Sequence, residues 1–357
     1  MNYRIVATLG PATSDERTWR RMVAAGATAF RLNTAHFALD TLKVWLERIA
    51  VFLGEEGLGS FPVILDLQGS KWRIGAVRTD RLERGAAVEL ILAASGKGEP
   101  DEPFAGGAAL PVPHPDFFEA ACSAGGGEIS LDDGRVMLRI EGPGRERITA
   151  RVVRGGTISA AKGLTLVGGQ YRKEALSGKD RRVVEMAGSR SFVRYALSYV
   201  KDGAEMGNYR KLFERSAYLI AKVERGSALA GAVEIAGAAD ELWICRGDLG
   251  AEIGPRAMAE RLFRFFARMP EIPKPLILAG QVLEHMASHP APTRSEVSYL
   301  YESLQRGFVG FVLSDETAVG AYPVEACRAA ALFRPALESL GGAPAHPHDH
   351  PHRVQAT

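Results

Sequence analysis

Short runs of Val, Ile and Leu alternate along most of the chain with longer stretches whose apolar residues recur every three or four positions. The short runs predict strands buried on both faces and the longer ones amphipathic helices, the pattern of parallel strands joined by helical crossovers. Strands are expected at Arg4–Leu9, Ala29–Leu32, Val63–Asp66, Val193–Ser198, Tyr218–Lys222, Glu241–Cys245, Leu276–Ala279 and Gly310–Leu313. Helices are expected at Thr18–Ala25, Thr41–Leu53, Ala257–Met269, Gln281–Ser288, Glu296–Arg306 and Pro323–Leu340. Periodicity alone does not separate a closed barrel from an open doubly wound sheet. Eight βα units favour an α/β fold of the (β/α)8 TIM-barrel type, whose active site lies at the C-terminal strand ends.

The stretch from Gly75 to Gly163 has another texture. Apolar pieces recur at short spacing (Ala87–Leu92, Val136–Glu141, Arg147–Val153) between turns such as Asp132-Asp133-Gly134, Gly142-Pro143-Gly144 and Gly155-Gly156. This predicts a small all-β domain inserted after the third strand, with a loop at Gly96–Gly107. The expected division is a barrel of residues 1–74 and 164–343, an insert of 75–163, and a flexible His-rich tail, 344–357. The tail's His346, His348, His350 and His352 can take up a transition metal adventitiously. A frayed terminus is the simpler reading.

Composition adds mostly exclusions. With 46% hydrophobic and 24% charged residues the chain is of ordinary globular composition, and 357 residues suggest about two domains. A net charge of +2 is no footprint for nucleic acid or a membrane surface. No apolar run reaches the roughly 18 residues of a membrane span, and Met1-Asn2-Tyr3-Arg4 leads straight into a strand without a signal peptide. Cys122, Cys245 and Cys327 are odd in number and far apart, which argues against a disulfide framework or zinc site and for a cytoplasmic setting.

The strand ends are where polar residues gather. Lys222-Val223-Glu224 places a cation and a carboxylate on one face of a strand, since residues i and i+2 point the same way. Asp248, from the next strand end, adds a second carboxylate. Two carboxylates suit a hard divalent ion whose other ligands are substrate oxygens and water. A Lys–Glu ion pair at the barrel rim is the plain alternative for the Lys-Val-Glu triplet alone. Arg246-Gly247-Asp248-Leu249-Gly250 reads as a small-residue loop before a helix starting near Pro255, with backbone N–H groups able to hold an anion. Arg31 and Arg73 add fixed positive charge for phosphate or carboxylate. Together these point to a small phosphorylated or carboxylated substrate.

In this order, and over almost the whole chain, the motifs resemble those of the pyruvate kinase family. They begin with Ile5-Val6-Ala7-Thr8-Leu9-Gly10-Pro11-Ala12, Arg31-Leu32-Asn33 and Leu65-Asp66-Leu67-Gln68-Gly69-Ser70-Lys71-Trp72-Arg73. Ile129-Ser130-Leu131-Asp132-Asp133-Gly134 and Ala161-Lys162-Gly163-Leu164 follow, then Lys222-Val223-Glu224 and Arg246-Gly247-Asp248-Leu249-Gly250. Pro292-Thr293-Arg294-Ser295-Glu296 and Ser314-Asp315-Glu316-Thr317 close the series. The resemblance implies a β lid closing over Mg²⁺ (or Mn²⁺) and phosphoenolpyruvate. It implies Glu224 and Asp248 as metal ligands, and Lys222 as the residue that stabilises the phosphoryl group in flight and the enolate. Arg31 would then hold the substrate phosphate, the backbone at Arg246-Gly247-Asp248 its carboxylate, and Arg73, with His36 and Lys162, the phosphates of ADP or ATP. Such chemistry depends on positioning and charge stabilisation.

The chain also departs from the family pattern. It stops soon after the eighth barrel helix, so no regulatory C-terminal domain is expected, and an oligomer would use barrel contacts alone. Ala279-Gly280-Gln281 stands where the family has Ala-Thr-Gln; it loses a hydroxyl from the group that handles the enolate proton, and Ser314 is the neighbouring hydroxyl that could hold a substitute water. Asn33-Thr34-Ala35-His36 lacks a serine of the monovalent-cation region that also includes Asp66. Lys71 places an ammonium there, so K⁺ should not be required. The segment after His36 lacks the family's tyrosine near the adenine, and Thr165 and Val167 replace Asn and Pro after Lys162-Gly163. Two readings stay open: phosphoryl transfer between phosphoenolpyruvate and a nucleoside diphosphate, forming pyruvate, or a nucleotide-free lyase, decarboxylase or aldolase working through the enolate of a 2-oxo acid.

Overall fold

The computed structural model describes residues 1–69, 71–77, 80–93, 107–132, 134–167, 176–188 and 190–335. Eight parallel strands close into a barrel: β1 (Arg4–Thr8), β2 (Ala29–Asn33), β3 (Val63–Leu67), β4 (Val193–Leu197), β5 (Leu219–Val223), β6 (Glu241–Cys245), β7 (Leu276–Ala279) and β8 (Gly310–Leu313). Each strand pairs with its neighbours in sequence, and β8 closes the ring on β1 from Arg4↔Gly310 to Ala7↔Leu313. All eight expected strands form, within a residue or two of their expected ends.

The strand period of two sorts the barrel interior into layers. A middle layer packs Val6, Ala29, Ile64, Ala196, Ile220, Trp243, Ile277 and Val312 against one another. Two residues further on lie Thr8, Arg31, Asp66, Ser198, Lys222, Cys245, Ala279 and Ser314. The apolar layer is thus a floor, and the next residue on the same face of each strand belongs to the site. Below the floor, Glu241 is buried and accepts from Arg4 Nη1 (2.5 Å), Tyr218 OH (2.9 Å) and Trp243 Nε1 (2.6 Å). The outward strand faces and the inner helix faces form a separate, larger apolar shell that includes Trp19, Phe30, Phe52 and Phe311.

Some helix starts are fixed by side-chain caps. Asp15 caps Glu16–Ala24, and capping boxes at Ser177/Asp180 and Thr293/Glu296 open Gly178–Ala187 and Arg294–Gln305. Asp180 also accepts from Gln68 N (2.9 Å) and Gly69 N (3.2 Å), tying its helix to the segment that leaves β3. Three expectations are corrected. Gln281–Ser288 is not an α-helix but holds only a 3-10 turn at Glu284–Ala287, because Gly280 and Gln281 take left-handed φ values of +83° and +53°. Arg246–Ile253 is a helix rather than a loop, anchored by buried Leu249 and Glu252 despite two glycines. The last expected helix is described as Pro323–Ala330.

Between β3 and β4 the chain builds a seven-stranded sheet in the order Trp72–Arg73, Gly163–Leu166, Glu128–Leu131, Val136–Gly142, Arg147–Arg154, Ala87–Leu92, Gly107–Val112. A two-stranded ribbon, Asp80–Leu82 with Gly156–Ile158, lies beside it. This part has its own core around Phe117, Phe118, Leu131 and Leu138. It is not all β: the helix Pro115–Ala124 supplies Phe117 and Phe118 to that core. The expected loop at Gly96–Gly107, except its last residue, and the His-rich tail lie outside the described residues.

At Gly69 the segment leaving β3 packs closely against the end of β4. Its φ is +60°, and a Cβ there would sit 2.2 Å from Ser198 O. Gly57 has a similar φ of +67° but open space around it. Gly69→Ala should therefore cost about 2 kcal/mol more than Gly57→Ala, seen as a larger fall in Tm. Equal Tm values for the two variants would show that the chain relaxes freely at Gly69.

Candidate active site

Thirteen of the fourteen residues singled out in the sequence line one cleft of about 760 Å³ over the barrel mouth: Arg31, Asn33, His36, Asp66, Lys71, Arg73, Lys162, Lys222, Glu224, Gly247, Asp248, Gly280 and Ser314. Arg246 lines an adjoining cavity of about 860 Å³ that shares Gly247, Gly280 and Ser314 with the first.

At the base of the cleft lies a buried charge network. Asp66 Oδ2 accepts from Arg31 Nε (2.8 Å) and Nη2 (2.5 Å), with Lys222 Nζ 3.2 Å away. Arg31 Nη1 also donates to Thr8 Oγ1 (2.9 Å). Lys222 Nζ reaches Ser198 Oγ (3.0 Å) and Glu224 Oε1 (2.9 Å), so the Lys-Val-Glu triplet does converge from one face. Burial works against the charge on Lys222, but Asp66 and Glu224 outweigh it and raise its pKa. Burial likewise opposes the charge on Asp66, and Lys222 and Arg31 overcome it, lowering its pKa.

Glu224 behaves differently. Burial raises its pKa, Lys222 opposes the rise only in part, and the neighbouring Asp248 carboxylate adds to it. Two adjacent carboxylates at a substrate cleft suit a divalent cation. Among the described residues no group of three or more His, Cys, Asp or Glu is placed to hold a metal, so the protein can supply this pair and substrate or water the rest.

Asp248 Oδ1 also accepts from Lys71 Nζ and from Tyr199 OH (2.7 Å). Lys71 is fitted closely: a Cβ on Gly163 would lie 2.1 Å from its Cε. Asn33 is a local cap, its Oδ1 accepting from Ala35 N (3.3 Å).

On the opposite wall the helix Arg246–Ile253 points its N-terminus into the cleft. Helix geometry leaves the N–H groups of Arg246 and Gly247 without intrahelical acceptors. The Arg246 guanidinium is turned away and donates to Gly280 O (3.0 and 2.8 Å) and Gln281 O (2.6 Å). A Cβ on Gly280 would lie 2.7 Å from Gly247 N, so any side chain there would cover these amides. In this backbone the absence of a side chain at Gly280 leaves the amides of Gly247 and Arg246 uncovered.

Cations line the sheet side of the cleft. Arg73 Nη1 donates to Ala161 O (2.8 Å), while its Nε is buried without a hydrogen-bond partner. Lys162 Nζ lies 2.9 Å from Asp132 Oδ1. Behind this lining, Lys179 on the helix Gly178–Ala187 donates to Ala35 O (3.4 Å), its pKa lowered by burial and, against Asp180, by Arg73. His36 keeps solvent access on one side. Desolvation by the cleft walls, then Arg73, Lys162, Arg31 and Lys179, push its pKa down to about 4, so it is neutral at pH 7.

Sequence reasoning missed Thr8, Ser198, Tyr199 and Lys179. The first two sit two residues beyond apolar floor positions, and that spacing was the available signal. Lys179 owes its place to the Ser177 cap, and nothing in its local sequence marks it.

Comparison with known proteins agrees with this geometry. The family model described as the pyruvate kinase barrel domain matches residues 1–327. Two pyruvate kinases of Agrobacterium vitis are similar to the chain. One is 37% identical over 90% of the chain and 65% of its own length; the other is 34% identical over 98% and 74%. Pyruvate kinase of Aeropyrum pernix is 32% identical over 90% of the chain and 68% of its own length. The chain thus spans about two thirds of the length of these relatives. With the barrel closed, the motif residues gathered in one cleft and the match running through residue 327, the chain belongs to the pyruvate kinase family.

Proposed function

We propose that the cleft transfers a phosphoryl group between phosphoenolpyruvate and a nucleoside diphosphate, forming pyruvate. The observation that carries this is the convergence of a protonated, buried Lys222 and Arg31 with a carboxylate pair and the open amides of Gly247 and Arg246. The cations Arg73 and Lys162 beside them support a nucleotide as the second substrate, since a substrate of one phosphate and one carboxylate leaves them unused.

Residues 75–163 act in this reading as a lid over the cleft. The amides hold the substrate carboxylate, and Arg31 holds its phosphate. Glu224 and Asp248 fit Mg²⁺ or Mn²⁺, which when bound would neutralise phosphate and enolate charge. The bond from the enol oxygen to phosphorus breaks as a bond from the diphosphate's terminal oxygen to phosphorus forms. Negative charge moves onto the enol oxygen, where Lys222 gains most of its interaction. Ser314, on the same wall as Gly280, can pass a proton through one water to the methylene carbon, which completes pyruvate. Lys71, fixed on Asp248, supplies the charge that a monovalent cation would otherwise bring.

Release of pyruvate from phosphoenolpyruvate should require ADP and a divalent ion. Lys222→Met should lower kcat by at least 100-fold with KM changed little. Consumption of oxaloacetate without nucleotide, and no ADP-dependent turnover, would overturn the assignment in favour of a lyase.

The fixed ammonium predicts equal activity with and without K⁺. Gly163→Ala should displace Lys71 and reduce K⁺-free activity by about tenfold or more. Strong K⁺ activation of the unmodified protein would contradict this role for Lys71.

His36 gives a binding readout independent of turnover. Its ring should titrate near pH 4 in the free protein, well below an ordinary histidine. A bound diphosphate offsets the surrounding cations, so ADP should move the titration upwards. An NMR titration that finds His36 unaffected by ADP would place the nucleotide elsewhere.

A further inference from the structure

We propose that Tyr199 positions both metal-holding carboxylates, Glu224 through its backbone N–H and Asp248 through its phenol. The inference rests on the metal reading of that pair. Tyr199 follows Ser198 just past β4, and its φ of +62° lies in the left-handed region that a bulky residue rarely occupies. A residue stays in such a conformation only where its surroundings over-determine it. Here the backbone N–H reaches Glu224 Oε2 at 2.7 Å, and the phenol reaches Asp248 Oδ1 at the same distance. The ring is buried, with Lys71 Nζ and Arg225 Cζ each 5.1 Å from its centroid.

Glu224 and Asp248 follow adjacent strands, β5 and β6, while Tyr199 follows β4. One residue outside the pair therefore sets the spacing and tilt of both members. Lys71 and Tyr199 both grip Oδ1 of Asp248, which fixes the plane of that carboxylate. A ligand held in one orientation binds an ion without first having to be ordered, and loss of such a partner typically weakens metal binding by roughly 10–100-fold. Tyr199 touches neither substrate nor metal in this scheme. It is a positioning residue.

Tyr199→Phe separates the phenol from everything else, because it keeps the backbone N–H and the ring between Lys71 and Arg225. The probe is Mn²⁺, followed by the EPR signal of the free ion, with oxalate present as a planar stand-in for enolpyruvate. The variant should bind Mn²⁺ about tenfold more weakly. In turnover assays the Mn²⁺ concentration for half activity should rise by the same factor, with a smaller fall in kcat at saturating Mn²⁺. Equal Mn²⁺ affinity in the two proteins would overturn the role of Tyr199, as would a fall in kcat at saturating Mn²⁺ larger than the loss of Mn²⁺ affinity. Failure of the unmodified protein to bind Mn²⁺ at all would instead overturn the metal reading of Glu224 and Asp248.

Discussion

The site depends on one buried carboxylate. Asp66 lies above an apolar floor and between two cations, Arg31 and Lys222, that its charge keeps in place. Without it two like charges would face each other out of water. Breaking a buried ion pair by removing one member typically costs about 3–5 kcal/mol. The arrangement is preorganised: ammonium and guanidinium are held in position by the protein before any substrate arrives. The cations are also shared. Lys222 is divided between Asp66 and Glu224, while Arg31 directs its donors at Asp66 and Thr8.

Around this centre the cleft has three walls of different character. The carboxylate pair forms one, the amide end of Arg246–Ile253 a second, and the cation-lined edge of the inserted sheet a third. The sheet is not merely draped over the barrel. Arg135, just after the Asp132 turn, reaches Asp315 (3.2 Å) and Glu284 (3.6 Å) past the ends of β8 and β7. These contacts are half exposed, so each contributes little. They are weak contacts, in contrast to the Asp66 network beneath them.

How far the sequence reveals this differs by element. The eight strands were legible because each is a short apolar run buried on both faces, and the spacing of Lys222 and Glu224 showed that they share a cleft. The helix Arg246–Ile253 was hidden by Gly247 and Gly250, which have poor intrinsic propensity; buried Leu249 and Glu252 hold it by tertiary contact. The helix Pro115–Ala124 was missed inside a β-rich stretch, although Pro at its start and Gly125 after it are ordinary boundary signals. Tyr199 was illegible for a different reason. A tyrosine after a strand carries no sign that its backbone will turn left-handed, since that depends on acceptors 25 and 49 residues away. Gly280 was legible as a departure from the family pattern but not as the opening of an amide pocket, because that needs the position of Gly247 in space.

The polar plug beneath the floor bears on biosynthesis. Arg4, on the first strand, finds its partner Glu241 only 237 residues later, and the ring closes where β1 meets β8 at Gly310. At translation speeds of roughly 5–20 residues per second, β1 waits on the order of 15–60 s for its second neighbour. Throughout that interval it is an edge strand on an incomplete barrel. Chaperone contact or pausing in that window would act on the nascent chain before any catalytic surface exists, because the ring cannot close until β8 has been made.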